Sequence, residues 1–301
     1  MSRSQPNKST NVRTKSWAQR LIGLKFRLLL RFAPARAELA AARLFLTPQR
    51  KAPARSLAPV PDGAVRLAVP GRPDLAVWSW GDAAAPAVLL VHGWESEHRA
   101  LGGFVAPLLA QGLRVVAFDQ PAHGRSGGRT ASLPEFARAL RAVAVAAGGQ
   151  GAPVLATIAH SLGAAATVAA LGIGTRLGRV ALIAPPSRPR VHADMLCAAL
   201  GFDAERRRGF YRRLAGLTGV DVQGYDLTEI ARGLRSPALI LHARNDRVVP
   251  ATHGQALAAV WPGAELALFD ALGHVRILSD AGAVRRVLDF VSGAEPARRV
   301  A

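Results

Sequence analysis

This 301-residue chain has a single cysteine, Cys197, so no intramolecular disulfide can form and secretion gains no support. Between Met195, Leu196, Ala198 and Ala199, that cysteine reads as a small buried hydrophobe on a helix. No set of His, Cys or carboxylate residues has zinc-ligand spacing, so neither a metal nor another cofactor is expected. Lysine is missing after Lys51, and acids are nearly missing before residue 60. Residues 1–60 carry thirteen Lys and Arg against one acid, Glu38, a balance of +12. Residues 61–301 carry 26 Arg and 19 acids, only +7. The basic excess therefore belongs mainly to an N-terminal extension. Helix-turn-helix and zinc-finger patterns are both absent, as are strands of interleaved aromatic and basic residues, so no nucleic-acid partner is expected.

What the sequence does have begins at the N-terminus. Residues 1–16 are polar, basic and aperiodic, and are expected to be a disordered tail. Residues 17–63 are expected to form an amphipathic helix and a linker. Leu21, Ile22, Leu24, Phe26, Leu28, Leu29, Leu30 and Phe32 are interrupted by Lys25, Arg27 and Arg31, so the run is too short and too charged to span a bilayer. The same charges argue against a signal peptide ahead of Ala35-Arg36-Ala37. Pro34 should kink or break the helix, which resumes through Glu38–Phe45. Two readings stay open for residues 17–46: packing on the body, or a basic amphipathic helix in peripheral contact with an anionic membrane face. The expected location is cytoplasmic, with a peripheral membrane position as the alternative.

From residue 65 onward, apolar runs alternate with Ala-rich segments of helical spacing. Val65–Val69 and Leu75–Trp80 predict a hairpin. Ala87–Val91, Leu113–Phe118, Val154–Ile158, Arg179–Ile183, Ala238–His242 and Glu265–Phe269 predict buried strands. Pro134–Ala147, Leu162–Leu171, Thr252–Val260 and Ala281–Val291 predict helices. This alternation implies an α/β fold, a mostly parallel central sheet with helices on both faces. Ligands in such sheets bind beyond the carboxyl ends of the strands, and polar residues collect there in this sequence. Ser161 follows one strand, Asp246 another and His274 the last.

A serine hydroxyl is a weak nucleophile without a base, and the base needs an orienting carboxylate. Ser161, with Ala159 and Gly163 two residues to either side, suits a sharp strand-to-helix turn. There the Leu162 N–H and the helix N-terminus face a developing oxyanion. Alone, Ser161 also reads as a helix N-cap, Asp246 as a turn residue and His274 as structural.

Taken together, the segments His92-Gly93-Trp94, Asp119-Gln120-Pro121-Ala122-His123-Gly124-Arg125-Ser126, Ala159-His160-Ser161-Leu162-Gly163, Arg244-Asn245-Asp246 and Gly273-His274 resemble the α/β-hydrolase superfamily, in its esterase-like branch. The resemblance covers residues 64–293. Where its pattern usually has Gly-x-Ser-x-Gly, Ala159 replaces the first glycine. The order Ser161…Asp246…His274 is that of the family. The resemblance implies a catalytic triad of those three residues and an oxyanion hole from the backbone N–H groups of Trp94 and Leu162. Trp94 and His160 are expected in the substrate pocket, with Asp119 and His123 structural. It also implies a short helical cap over residues 188–236, where Val191–Leu200, Ala204–Leu214 and Thr228–Leu234 have helical patterns. The arginines at 206–208, 212 and 213 read there as a solvated face or a cationic rim. Residues 294–301 are expected to be a C-terminal tail. A serine nucleophile fits hydrolysis of a small-molecule ester or thioester of a small to medium acyl group. The alternatives are acyl transfer or perhydrolysis on the same site, and a non-catalytic ligand-binding protein of this fold.

Overall fold

Strands buried on both sides define the sheet. A computed structural model describes residues 17–49, 61–149 and 153–293. The expected tails at 1–16 and 294–301, and linker residues 50–60, lie outside them. The eight strands are β1 (Val65–Arg66), β2 (Val77–Trp80), β3 (Ala87–Val91), β4 (Arg114–Phe118), β5 (Val154–His160), β6 (Arg179–Ile183), β7 (Ala238–Ala243) and β8 (Glu265–Phe269). They form one sheet in the order β1-β2-β4-β3-β5-β6-β7-β8. β1 and β2 are antiparallel to their neighbours, and every other pairing is parallel. The expected hairpin is present but shorter. Only Val65 and Arg66 are assigned to β1, and both are exposed, so little burial holds the strand further.

Alternation along β3 supplies both faces. Leu89 and Val91 join one core with the helices α4 (Leu133–Gly148), α5 (Leu162–Gly172) and α9 (Thr252–Val260). Val88 and Leu90 join the other, with α3 (Val105–Ala110) and α11 (Ala281–Ser292). A 3-10 segment, His98–Phe104, precedes α3.

The remaining helices lie outside these two layers or, for α8 (Leu227–Arg232), extend the first, where Leu227 and Ala231 join the core with α5 and α9. The stretch between β6 and β7 carries α6 (Arg190–Ala199), α7 (Ala204–Thr218) and α8, close to the three expected helices. At the N-terminus are α1 (Trp17–Phe32) and α2 (Pro34–Phe45), broken as expected where Pro34 opens α2. Short α10 (Gly273–Arg276) follows β8.

The N-terminal helices pack on α6 and α7 rather than on the sheet. Ala37, Ala41 and Ala42 of α2 and Phe26 of α1 share a core with Cys197, Phe210 and Leu214. The small face of α2 admits close approach, and Gly209 of α7 reciprocates: a Cβ there would run into the Glu38 carboxylate. Glu38, the extension's single acid, is buried and accepts a hydrogen bond from Arg206 at 3.2 Å. Burial pushes the Cys197 thiol up to about 11, in keeping with its reading as a buried hydrophobe.

Candidate active site

β5 ends at His160, and α5 begins at Leu162, leaving Ser161 alone at the turn. Its φ of 54° is a strained value for a non-glycine residue, and its N–H donates to the Ile183 carbonyl at 2.9 Å. Two glycines make room for this turn. A Cβ at Gly163 would lie 2.6 Å from the Val91 carbonyl oxygen and still closer to that of His92. A Cβ at Gly93 would lie 2.8 Å from the Ser161 Cβ. Ala159 lies inside the sheet, buried and paired with Val91 and Leu182, so a methyl group is accommodated where the usual pattern has glycine.

Ser161 Oγ is 3.0 Å from His274 Nε2, and His274 Nδ1 is 2.7 Å from Asp246 Oδ2. Three residues that follow three separate strands thus form one hydrogen-bonded chain. With Nδ1 donating to the carboxylate, Nε2 is left as an acceptor for the serine proton.

Asp246 is held from several directions. Its Oδ1 accepts the N–H groups of Val248 and Val249 at 2.8 and 2.9 Å. The His242 Nε2 lies 3.6 Å from Oδ2 and donates to the Val249 carbonyl at 2.8 Å. Burial alone would raise the Asp246 pKa. The nearby His242 ring, with the hydrogen bonds from His274 and the Val249 N–H, outweighs it and holds the carboxyl well below the usual carboxylate range. His274 is positioned from its own backbone. Gly273 takes a φ of 65° and donates its N–H to the Asn245 side chain at 2.9 Å, while the His274 carbonyl accepts from His160 Nε2 at 2.9 Å.

His160 is therefore not where the sequence placed it. It lies behind the His274 ring, 4.7 Å between centroids, and does not line the cavity. Its position as the last residue of β5 turns it under the loop carrying His274. Trp94 does line the cavity, with Ser161, Leu162 and His274.

Leu162 is the first residue of α5, so its N–H has no acceptor within the helix. The turn carrying Trp94 is fixed by an arrangement that sequence spacing did not reveal. Glu95 has a φ of 53°, and its N–H donates to His123 Nε2 at 3.0 Å. His123 Nδ1 in turn donates to the Pro121 carbonyl at 2.9 Å. Both ring nitrogens are engaged with backbone, which leaves this histidine no role as a base. Asp119 accepts from the His98 N–H and ring at 2.8 and 2.9 Å, and from the Arg125 N–H at 2.8 Å, bracing the same loops.

Buried neutral histidines carry a consequence for stability. Burial lowers His92 to about 4 and His160 to about 3. Both are near 6.5 in an unfolded chain. Below pH 6.5 the unfolded state therefore takes up protons that the folded state refuses. Their contribution to stability is complete above that pH and is lost as pH falls toward 4, by up to about 1.4 kcal/mol per pH unit for each histidine. The melting temperature should drop steeply between pH 6.5 and 4.5. His160→Gln, which can still donate to the His274 carbonyl but does not titrate, should flatten that drop. An unchanged pH slope in the variant would remove His160 from the account.

Around Ser161 lies a cavity of about 550 Å³. Its wall is largely apolar and comes from three sources. α1 and α2 contribute Ile22, Leu44 and Phe45, the β6–β7 insertion contributes Leu196 and Leu214, and Trp94 comes from the turn after β3. Among the described residues, no three His, Cys, Asp or Glu side chains are grouped to hold a metal ion. No helix there is long and apolar enough to cross a membrane.

A sequence profile described as the alpha/beta hydrolase family matches residues 88–287, a span from β3 into α11 that includes Ser161, Asp246 and His274. The chain belongs to the alpha/beta hydrolase family. A pimeloyl-[acyl-carrier protein] methyl ester esterase of Methylococcus capsulatus is 30% identical over 242 residues, covering 69% of this chain and 95% of that protein. Solved structures share the fold at lower identity. An esterase of Pyrococcus furiosus superposes with a TM-score of 0.59 at 20% identity, over 83% of this chain and 99% of its own. The enol-lactonase of Burkholderia xenovorans gives 0.58 at 20%, over 76% and 100%.

Proposed function

We propose that this hydrolase cleaves an ester or thioester of a small to medium acyl group through an acyl-enzyme on Ser161. The observation that carries this reading is the continuous chain Ser161 Oγ–His274 Nε2–Asp246 opening onto the apolar cavity. The methyl ester esterase among the relatives supports the ester bond as its target.

The geometry supports a two-step acyl transfer. Ser161 Oγ attacks the acyl carbon as His274 Nε2 takes its proton, and the carbonyl oxygen becomes an oxyanion facing the Trp94 and Leu162 N–H groups. Asp246, kept ionised, steadies the imidazolium that forms. The oxyanion collapses, the leaving alcohol or thiol takes the proton from His274, and the acyl group stays on Ser161. Water then attacks the acyl carbon, giving its proton to His274; as the second oxyanion collapses, the acyl–Oγ bond breaks, Ser161 Oγ takes that proton from His274, and the free acid departs.

A cavity of this size and polarity favours the acyl chain over a charged group. On p-nitrophenyl esters and acyl-CoA thioesters graded from acetyl to dodecanoyl, kcat/KM should peak at a medium chain and fall on both sides. Failure to hydrolyse any of the panel would overturn the reading.

A further inference from the structure

Among the described residues, nothing packs over the outer face of α1. Phe26 packs inward onto the core shared with α7, and Leu29 and Leu30 are half-buried beside it. On the other side, Leu21 is 56% exposed, Leu24 46%, Leu28 52% and Phe32 74%. At 100° per residue these four fall on one stripe. Lys25 flanks it on one edge, and Arg27 and Arg31 on the other, all three exposed. No acid occurs before Glu38, which is itself turned inward onto Arg206. The helix thus presents an apolar ridge between two cationic edges, continuous in sequence with the basic residues 1–16.

We propose that this face of α1 docks on an anionic lipid surface, with Leu21, Leu24, Leu28 and Phe32 among the acyl chains and the flanking cations against the headgroups. Charge selects this occupant. A second copy of the chain would bring the same uncompensated cations to the interface, whereas acidic headgroups neutralise them. α1 also contributes Ile22 to the wall of the cavity that holds Ser161, so docking sets that cavity beside the lipid. An acyl substrate dissolved in the membrane then has a short route to the serine. That delivery step rests on the proposed hydrolysis, while the docking itself does not.

The test uses full-length protein and its Leu24→Ser/Leu28→Ser/Phe32→Ser variant, none of whose altered residues touches the cavity. The parent should sediment with phosphatidylglycerol vesicles at low salt, much less with phosphatidylcholine, and at least ~10-fold less at ~0.5 M salt. The variant should bind phosphatidylglycerol at least ~10-fold more weakly, with its melting temperature and hydrolysis of a short soluble ester unchanged. Equal vesicle binding by parent and variant would overturn the proposal, because basic charge alone would then account for adsorption. A parent that ignores anionic vesicles would overturn it too. So would a dimer in light scattering that the variant dissociates, which would assign the ridge to a second copy. Vesicle binding is read without turnover, so its failure is distinct from a failure of the proposed hydrolysis.

Discussion

Ser161→Ala is expected to remove ester hydrolysis almost entirely while leaving the melting temperature within a degree or two of the parent. The methyl group occupies the space of the hydroxyl, and the strained turn is held by features the substitution leaves alone. These are the Ile183 carbonyl and the close approach of Gly93 and Gly163. His274→Ala should cost as much, because a triad acts as a unit; losses in kcat on the order of 10⁶ are the precedent for such changes. Asp246→Asn should cost on the order of 10⁴. The amide can no longer hold His274 with Nδ1 protonated and Nε2 free to accept. Steady-state hydrolysis of a p-nitrophenyl ester, with circular dichroism for folding, checks all three. A well-folded Ser161→Ala protein retaining more than about a thousandth of parental kcat would contradict the mechanism.

Removal of residues 1–46 should produce the second large effect. It strips α2 from α7, exposing the surface of Phe210, Leu214 and Cys197 and leaving Arg206 without Glu38. A melting temperature lower by at least about 5 °C, or outright aggregation, is expected. Removal of residues 1–16 alone should leave it unchanged. The longer truncation also opens the cavity where Ile22, Leu44 and Phe45 wall it, so any soluble product should lose its preference for medium over short acyl chains. Should it aggregate, Phe45→Ala gives the same reading in a folded protein. That ring packs edge-on to Phe210, 6.1 Å between centroids, and its loss enlarges the pocket and should move the preferred acyl chain longer. A full truncation with unchanged stability and unchanged chain-length preference would show that the N-terminal helices are dispensable to fold and site alike.

The contrast between these two predictions matches what could be read from sequence. β3 falls where its apolar run begins and ends, because a strand buried on both faces must be apolar throughout, and β6, half-buried only at Arg179, matches as well. β8 also keeps its expected bounds, although as an edge strand it is exposed at Glu265 and Leu266 and half-buried beyond them. Ser161, Asp246 and His274 are legible because each lies shortly after the end of its own strand, and parallel strands deliver their carboxyl ends to one edge of the sheet. The 3-10 segment and α3 were harder to see. Gly102 and Gly103 interrupt the helical period, and the buried face is only Leu101, Phe104 and Leu108. Contacts between distant segments were harder still. Glu38 stands in the sequence only as one acid among thirteen cations, and Arg206 as one of five arginines on a solvated face or cationic rim. Only the fold brings this pair together, across 168 residues of chain. His160 was misplaced for a related reason. Its neighbour Ser161 faces the cavity, but backbone direction reverses at the turn and sends the imidazole beneath His274. The clamp from His123 to the Glu95 N–H joins two loops through a backbone donor, which leaves no trace in residue type.

Central to this account is an activated hydroxyl at position 161, and covalent labelling tests it most directly. A fluorophosphonate reacts with a serine only where a base removes its proton and an oxyanion hole receives the phosphoryl oxygen. Peptide mapping by mass spectrometry after labelling should place one adduct per chain, on Ser161, with labelling slowed drastically in His274→Ala and absent in Ser161→Ala. An unlabelled folded parent, or a label that persists in Ser161→Ala, would contradict the assignment.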